Sequence, residues 1–516
     1  MSNILTAMSK LSKIRITLSS AWVLFVVAAT AQHHVLVSVK RSYEIPKTET
    51  LTIVLSGAEL TKNIPSLTRK NIKVIDAHFY TPASITIEGS ENKIDQVVLR
   101  AELRSDEPVY TFRVSADGAT PAPITNEKAT SDPRIEVQYL RPYNPRKSKL
   151  AVAEQIASST LHTYPNQKDL SVISPGKWTY EYGFFLNGVF KLYEKTGKKE
   201  YLDYVKGWVD NFITEDGKFK DGVYNRAEYR LDDILPGRLC ISLFKKTGDK
   251  KYKAIADVLM DHLAHQPRTS EGGYWHKEIY PYQMWLDGIY MGDIFSMQYA
   301  AAFKQPEWFD ESVKQIKLMY KHAYDPATGL MFHGWDESKN KVWANQTTGA
   351  SPELWSRAIG WYAMALIDCL DYLPANHPER KNIELMFQKL CTSIAKFQDR
   401  KTGLWFQIIN KGDRGDNWIE TSASGMFIYA FAKGNHKGLL DKSFLEVSSQ
   451  AYDALLNNYV YADLKNELHL DQAVKVGSLN IKNSKGDYDY YINCERRVDD
   501  YKGLAALLYA SMELNR

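Results

Sequence analysis

Two patterns of hydrophobic and polar residues follow one another along the chain. From about residue 32 to 145, short segments such as TLTIVLS, QVVLRAEL and VYTFRVS alternate apolar and polar positions, and Gly, Asn, Asp and Pro separate them. This alternation is typical of β-strands with one buried face. Several short strands at this spacing predict a small β-sandwich, which we interpret as an accessory domain over residues 32–145.

After about residue 146, apolar residues recur at the spacing of amphipathic helices. Two long stretches of this kind each break at a Thr-Gly pair, at Thr196 and Thr247, which lie 51 residues apart. Glycine is the usual residue just beyond a helix end. A helix pair that recurs at about this spacing predicts a mainly α fold over residues 146–516, either a closed toroid or a solenoid.

Glycine followed by aromatic residues recurs in GGYWH, GLMFHGW and GLWFQ. In a toroid, the loops that follow the helices gather at one mouth, so these rings are expected to line a single pocket. The chain has 12 Trp and 32 Tyr. This content suits a ring-lined carbohydrate site, although a Trp-rich helical core would use the same residues.

The first 31 residues have the features of an export signal. Lys10, Lys13 and Arg15 precede the apolar run AWVLFVV and the small residues ATA, and the run is too short to span a membrane. Removal of this segment takes three positive charges from a formal net charge of +4 and leaves +1. We therefore expect a periplasmic or secreted protein without a nucleic-acid partner and without membrane attachment after cleavage.

Cysteine is sparse, with four residues in the chain. Secreted domains held by disulfides are dense in cysteine, so the hydrophobic core is expected to hold this fold. Neither a CxxC pair nor an HExxH motif occurs. We therefore expect neither a metal site nor a cofactor.

Asp287 is unusual because it lies among aromatic residues and methionines, in YPYQMWLDGIYMGD. Apolar neighbours desolvate a carboxylate and raise its pKa, which makes a carboxyl group a proton donor near neutral pH. A capping role at a helix start is the alternative for Asp287. Capping is also the alternative for Asp232 and Asp233, which precede a helix in LDDILPG.

Arg357 and Trp361 are four residues apart and share one face of a predicted helix. One interpretation is a core tryptophan with the arginine extending to solvent. The other is a cation beside a ring, suited to the carboxylate of a sugar. His333 in MFHGW is open to a structural or a binding interpretation.

Four stretches resemble glycoside hydrolase family 105, the unsaturated rhamnogalacturonyl hydrolases. They are RTSEGGYWHKEIYPYQMWLDGIYMG, GLMFHGWDESKNKVWANQTTGASPELWSRAIGWY, TGLWFQIINKGDRGDNWIETSASGMFIYAFAKG and YDYYINCERR. The resemblance covers roughly the last 340 residues in order. It implies an (α/α)6 barrel, in agreement with the helix-pair repeat.

The resemblance also implies a reaction. Family members remove the 4,5-unsaturated uronic acid that polysaccharide lyases leave at the non-reducing end of an oligosaccharide, by hydration of its vinyl ether. Asp287 matches the residue that protonates carbon 4 and then deprotonates the water that attacks carbon 5. Asp232 matches the second aspartate of the family.

Substrate contacts are implied less directly. The residues on matching positions around the unsaturated sugar are Trp285, His333, Arg357, Trp361 and Lys277, and the looser match WTYEYG adds Trp178 and Tyr180. The expected substrate is an unsaturated galacturonyl group on rhamnogalacturonan fragments. An unsaturated glucuronyl hydrolase for ulvan-type or glycosaminoglycan-type fragments, an inactive carbohydrate-binding barrel and a helical scaffold are the alternatives. The presence of Asp287 and Asp232 argues against the inactive barrel, and the aromatic and acidic loops argue against the scaffold.

Overall fold

The computed structural model of the chain describes residues 34–41, 49–90, 93–104, 109–119, 122–125, 129–143, 147–170, 177–480 and 484–516. The predicted export signal lies outside these residues. Among the described helices, none has the length and apolar character needed to cross a membrane.

The N-terminal region is built of short strands, as the alternating pattern predicts. The strands are β1 His34–Arg41, β2 Thr50–Ser56, β3 Lys73–Asp76, β4 Thr81–Pro82, β5 Ile85–Ser90, β6 Lys93–Glu102, β7 Val109–Ser115, β8 Ile124–Thr125 and β9 Ile135–Pro142. The segments TLTIVLS and VYTFRVS coincide with β2 and β7. One short helix, α1 Gly57–Asn63, follows β2 directly.

These strands form two facing sheets. One sheet contains the order β9-β1-β7-β3-β4, and the other has the order β2-β6-β5-β8. Val37 of β1, Ile53 of β2, Leu99 of β6 and Phe112 of β7 lie in one buried cluster between the sheets. Burial of one face of each strand therefore produces the predicted β-sandwich.

The rest of the chain is mainly helical. The helices are α2 Lys149–Thr163, α3 Tyr180–Thr196, α4 Lys199–Asp210, α5 Gly237–Thr247, α6 Lys250–Ala264, α7 Leu286–Gly288, α8 Ile294–Phe303, α9 Glu307–Ala323, α10 Ser356–Cys369, α11 Arg380–Lys396, α12 Thr421–His436, α13 Lys442–Tyr459, α14 Tyr488–Ile492 and α15 Tyr501–Glu513.

Six of the described helices form a closed inner ring in the order α3, α5, α8, α10, α12 and α15, with α15 packed back on α3. These inner helices are buried nearly all round, whereas α4, α6, α9, α11 and α13 are amphipathic and lie outside them. The predicted (α/α)6 barrel preceded by a β-sandwich is therefore confirmed.

The two Thr-Gly pairs end helices as the sequence predicts. Thr196 and Thr247 are the last residues of α3 and α5, and the glycine after each has a φ of 72° and 74° respectively. Only glycine takes this left-handed conformation without steric cost. Each glycine N–H bonds a carbonyl in the last helical turn, which ends the inner helix and starts the next outer one.

The helical region also contains short strands, which are β10 Gln283–Trp285, β11 Tyr324–Asp325, β12 Leu330–Met331, β13 Gly334–Asp336, β14 Val460–Ala462, β15 Leu468–Leu470, β16 Ala473–Val474 and β17 Arg496–Arg497. Strand β14 pairs with β9, and β15 pairs with β14. Because a free strand edge leaves backbone groups unpaired, β14 completes the sheet that begins in the sandwich. This sheet therefore contains strands from both sides of the predicted domain boundary at residues 145 and 146.

A stacked arginine strengthens the contact between the sandwich and the barrel. The Arg496 guanidinium lies 3.9 Å from the centre of the Tyr80 ring and 4.2 Å from that of Trp418. The Arg496 N–H donates to the His78 carbonyl at 2.9 Å. The sandwich thus packs on the chain segment that joins Tyr491 to Asp500, two residues at the mouth of the barrel described next.

Candidate active site

The polar residues singled out in the sequence lie mainly at one mouth of the barrel. Asp232 lies in the turn before α5, and Asp287 lies in α7, just before α8. Tyr180 begins α3, while Glu420 and Asp500 are the N-cap residues of α12 and α15. Because the N-terminal ends of the inner helices point to this mouth, their partial positive charges favour an anionic group there.

Strand pairing places His333 beside Asp287. In the β10–β13 pair, Trp285 lies opposite Gly334, and the Leu286 N–H donates to the His333 carbonyl at 3.0 Å. His333 Nε2 then lies 3.3 Å from Asp287 Oδ2. The His333 side chain is fully buried, whereas that of Asp287 is 17 % exposed and therefore open to a ligand.

Tyr491 fixes the protonation of the His333 ring. The Tyr491 hydroxyl lies 2.6 Å from His333 Nδ1, and burial raises the pKa of Tyr491 well above its ordinary value. The hydroxyl therefore keeps its proton and donates it to Nδ1. The remaining proton of a neutral ring is then on Nε2, which faces the Asp287 carboxylate.

Asp232 is an ionised carboxylate held by two cationic or polar neighbours. Lys277 Nζ lies 2.5 Å from Asp232 Oδ2, and His276 Nε2 lies 3.5 Å from Oδ1. Burial alone would raise the pKa of Asp232, but the Lys277 ammonium and the His276 ring hold it well below its ordinary value. Burial likewise opposes the charge of Lys277, and Asp232 raises the pKa of that lysine.

Replacing Lys277 with Met should destabilise the protein by about 3 kcal/mol at neutral pH, because it leaves Asp232 buried without its counter-ion. The depressed pKa of Asp232 contributes stability above the unfolded pKa of about 4, and this contribution is lost as the pH falls through the folded pKa. In the variant, burial raises the pKa of Asp232, so acid neutralises the unpaired charge. Thermal unfolding of both proteins between about pH 7 and about pH 4 should show the difference shrinking toward low pH. A difference that grows in acid would contradict the ion pair.

Aromatic rings connect the two aspartates. The Trp285 ring stacks on Tyr280 and on His276, with centroid distances of 4.8 Å in both cases. The edge of Trp285 meets His333 at 5.3 Å. Asp232 and Asp287 thus lie at the two ends of one contiguous series of rings, His276, Trp285 and His333. Flat ring faces of this kind are typical of sites that bind a sugar.

Several buried polar atoms around these rings have no hydrogen-bond partner. They are His276 Nδ1, Gln283 Nε2, Asp287 Oδ2 and His333 Nε2. Buried polar atoms are nearly always satisfied in native proteins. A cluster of unsatisfied atoms beside two carboxylates indicates a place for the hydroxyl groups of a ligand or for water.

Tyr180 lies between the two sides of the site. Its ring is partly exposed and meets that of Trp361 edge to face, with 6.4 Å between the ring centroids. Burial, followed by the charges of Glu181 and Asp232, raises the pKa of Tyr180 well above its ordinary value. The tyrosine is therefore a neutral hydroxyl near Asp232, where the sequence match suggested a substrate contact.

Arg357 and Trp361 form the floor of the site and are almost completely buried, each at 1 % exposure. Arg357 Nη2 lies 3.5 Å from Glu420 Oε1, and its other bonds go to Ser422 Oγ and the Val474 carbonyl. The protein therefore occupies the Nε and Nη2 groups of Arg357, and the contact of its guanidinium with a sugar carboxylate stays a prediction.

Trp178, a predicted substrate contact, lies in the core of this structure, and its contact with a substrate stays a prediction. Its ring is 4 % exposed and stacks on Trp208 at 5.4 Å in the core. Its indole Nε1–H donates to the Asp233 carbonyl at 2.8 Å. Through this hydrogen bond, Trp178 anchors the turn that carries Asp232 on its core side.

Several residues of the site were not chosen from the sequence, among them His276, Tyr491 and Glu420. His276 lay in the aromatic segment GGYWH, Tyr491 lay in the resembling stretch YDYYINCERR, and Glu420 lay in GDNWIETSASG. Their motifs were therefore visible, but their partners, Asp232, His333 and Arg357, are distant in sequence. In the part of the chain that the structure describes, no group of three or more His, Cys, Asp or Glu residues is arranged to hold a metal ion.

Comparison with known proteins identifies relatives of the barrel. Residues 152–516 match the model of Glycosyl Hydrolase Family 88. The chain is 28 % identical over 253 residues to the unsaturated rhamnogalacturonyl hydrolase YesR of Bacillus subtilis, which spans 48 % of this chain and 68 % of that protein. It is also 28 % identical over 176 residues to an unsaturated 3S-rhamnoglycuronyl hydrolase of Formosa agariphila, which spans 33 % of this chain and 45 % of that protein.

A solved structure gives the same result. A glycoside hydrolase of family 105 from C. acetobutylicum is 37 % identical and superposes with a TM-score of 0.67. The match covers 70 % of this chain and 98 % of that protein. The uncovered part of this chain is thus comparable in size to the N-terminal sandwich.

Proposed function

The chain belongs to glycoside hydrolase family 88, and from this membership and the catalytic mouth we propose that it removes a 4,5-unsaturated uronic acid from the non-reducing end of lyase-generated oligosaccharides. The observation that carries the proposal is the pairing of Asp287 with a buried histidine whose Nε2 faces it, across the ring series from an ionised Asp232. The converging N-terminal ends of the inner helices suit the carboxylate of the uronic acid.

In the first step, Asp287 in its acid form transfers a proton to carbon 4 of the sugar. The π electrons of the double bond form the new C–H bond, the link between carbons 4 and 5 becomes a single bond, and the ring oxygen stabilises the positive charge that develops on carbon 5. Asp287 becomes a carboxylate in this step. His333 Nε2 lies 3.3 Å from Oδ2 without a hydrogen bond to it, and a rotation of either side chain that aligns the N–H with the new charge would lower the barrier to proton transfer.

In the second step, water attacks carbon 5 and gives its proton to the Asp287 carboxylate. The resulting hemiketal opens to a ketone, and carbon 1 then releases the neighbouring sugar as a free hydroxyl and becomes an aldehyde. One water molecule is consumed, and Asp287 returns to its acid form. One carboxyl group therefore donates and then accepts the same kind of proton, unlike the acid and nucleophile pair of ordinary retaining glycosidases.

Asp232 supports this sequence without titrating. Because Lys277 and His276 keep it ionised, its negative charge faces the positive sugar ring of the intermediate and can orient the attacking water. Trp285 and Tyr280 offer ring faces to the sugar, and Tyr180 offers a neutral hydroxyl. Arg357 acts from below the site, as the partner of Glu420.

We further propose that the unsaturated sugar is galacturonyl and that it is linked to rhamnose. The relative named as an unsaturated rhamnogalacturonyl hydrolase supports this choice, because the match covers 68 % of its length. The second candidate is a rhamnose-linked unsaturated glucuronyl group, which the equally identical match to the 3S-rhamnoglycuronyl hydrolase supports over 45 % of that protein. The features of residues 1–31 support action in the periplasm or the medium.

The experiment that tests the function uses three oligosaccharide preparations, made by lyase treatment of rhamnogalacturonan, ulvan and a glycosaminoglycan. Hydration of the vinyl ether destroys the ultraviolet absorbance of the conjugated uronate, so the decay of absorbance measures turnover. We expect the highest kcat/KM on the rhamnogalacturonan fragments. Faster decay with ulvan fragments would select the glucuronyl candidate, and stable absorbance with all three would overturn the hydrolase proposal.

A further inference from the structure

A large polar cavity lies at the opposite mouth of the barrel. Its volume is about 910 Å³, and every inner helix or the residues just after it contribute to its wall. The six inner helices and the residues just after them contribute, in ring order, Lys191, Arg238, Gln298, Tyr372, Lys433 and Tyr509. A space of this size, on the barrel axis, is in the range of ligand sites.

A layer of aromatic rings separates this cavity from the catalytic mouth. Trp361, on the floor of the catalytic mouth, lies 4.7 Å from Phe184 and 5.0 Å from Tyr290 between ring centroids. Phe184 in turn stacks on Tyr509 at 5.2 Å. Tyr509 belongs to the far cavity, so the two spaces lie on opposite faces of one packed layer.

The wall of the far cavity carries an excess of positive charge. It contains seven Lys or Arg side chains and three Asp or Glu side chains. Lys433 pairs with Asp368 and Asp371, and Arg516 pairs with Glu513. Among the residues that the structure describes, the other five cations have no carboxylate within 4.0 Å; they are Lys191, Lys195, Arg238, Lys245 and Lys246.

Cations at helix C-termini also neutralise the negative ends of helix dipoles, and this explains part of the excess. Lys245 and Lys246 lie in the last turn of α5. Lys191 and Arg238 do not fit this explanation. Arg238 is the second residue of α5, and Lys191 precedes the end of α3 by more than one turn, whereas the dipole effect is confined to the terminal turn.

Arg238 is also built into the wall. It is 2 % exposed, and its Nε donates to Gln298 Oε1 at 3.1 Å and its Nη1 to the Tyr290 hydroxyl at 3.3 Å. Both hydrogen-bond partners are neutral and position the guanidinium, while the Asp368 carboxylate, which accepts from the Tyr290 hydroxyl, offsets part of its charge. A buried guanidinium that is fixed in this way is suited to a carboxylate of a ligand.

We propose that this cavity is a second binding site for an acidic oligosaccharide, in which Lys191, Arg238 and Lys246 receive carboxylate groups and the rings of Tyr193 and Tyr372 contact the sugar faces. The preference for an anion rests on the cavity alone. The choice of a uronic-acid sugar rests on the proposed function, because such sugars surround an enzyme of this activity. The site would hold the enzyme on its polymer while the catalytic mouth processes chain ends.

The test measures calorimetric binding of saturated trigalacturonate, which has no double bond and is not a substrate. The double variant Lys191→Met/Lys246→Met should bind it at least roughly tenfold more weakly than the wild type, since two charge-assisted contacts are removed. The matched control Lys389→Met removes an exposed lysine of the outer helix α11 and should bind normally. Trp285→Ala alters the catalytic mouth and should leave this binding intact.

Three results would overturn the second site. They are no binding of trigalacturonate, equal affinity in the double variant and the wild type, and loss of binding in Trp285→Ala alone. Inorganic phosphate and neutral maltotriose separate the ligand chemistries. Phosphate binding as tight as that of trigalacturonate would overturn the sugar assignment, and so would equally tight binding of maltotriose.

Turnover of an unsaturated disaccharide is measured on the same variants. The double variant should keep the wild-type kcat/KM on this short substrate, because both lysines lie beyond the aromatic layer. Absence of turnover in the wild type would reject the proposed function, whereas lysine-independent binding of trigalacturonate would reject the second site. The two proposals therefore fail in different measurements.

Discussion

Replacing Asp287 with Asn should lower kcat by about a thousandfold, with little change in the affinity for substrate. The amide has nearly the same shape, so it keeps the packing against His333 and Trp285. It has no acidic proton to transfer to carbon 4 and no basic oxygen to accept the proton of the attacking water. Steady-state decay of the uronate absorbance gives kcat, and calorimetry on the inactive variant gives the affinity for the intact substrate.

Asp293 supplies a matched control from the same stretch of sequence. Its side chain is 1 % exposed, and burial, with the charge of Glu311, raises its pKa well above the ordinary value. Because Asp293 is already neutral, Asp293→Asn should keep kcat within about threefold of the wild type, at a modest cost in stability. Comparable loss of turnover in the two variants would show that Asp287 has no special role as proton carrier.

Replacing Glu420 with Ala should lower the free energy of unfolding by about 3–5 kcal/mol, the cost of leaving a buried charge without its partner. Glu420 is fully buried, and its carboxylate accepts bonds from the N–H groups of Ala423 at 2.6 Å and Val474 at 2.9 Å. Its loss removes the N-cap of α12 and leaves the guanidinium of Arg357 uncompensated. Denaturant unfolding, followed by intrinsic tryptophan fluorescence, measures the change.

Two further variants show which contacts cause this loss of unfolding free energy. Glu420→Gln keeps an oxygen for the N-cap bonds and loses only the charge, so it should be less destabilising than Glu420→Ala. Glu446→Ala removes a glutamate of α13 whose side chain is 57 % exposed, and it should change the stability by less than about 0.5 kcal/mol. Equal stability of Glu420→Ala and Glu446→Ala would contradict the role of Glu420 as the partner of Arg357.

The contrast between Asp287 and Asp293 shows how much of the site the stretch YPYQMWLDGIYMGD predicts by itself. Its aromatic surroundings indicated a desolvated carboxyl group, and the family resemblance selected Asp287. Nothing in the local pattern separates the two aspartates. The separation comes from the short pairing of β10 with β13, which brings His333 to Asp287, while Asp293 turns into the core against α9.

Arg357 is a residue whose surroundings the sequence could not predict. The spacing of Arg357 and Trp361 left open whether the pair faces a ligand or the core, and the structure places both almost entirely below the surface. The decisive partner of Arg357 is Glu420, which is 63 positions away in the chain. A pattern within one helix cannot reveal such a partner, because the contact forms only when α10 and α12 become neighbours in the barrel.

The sequence by itself determined a β-sandwich followed by repeated helix pairs, because hydrophobic periodicity and turn glycines are local properties of the chain. The periodicity left a toroid or a solenoid open, and the family resemblance selected the closed barrel. Together with the family resemblance, the sequence also indicated the two aspartates and the aromatic loops. The tertiary structure alone decided that Lys277 neutralises Asp232, that Tyr491 sets the ring of His333, and that β14 completes a sheet begun more than 300 residues earlier. These features depend on distances between residues far apart in sequence, and closure of the barrel fixes those distances.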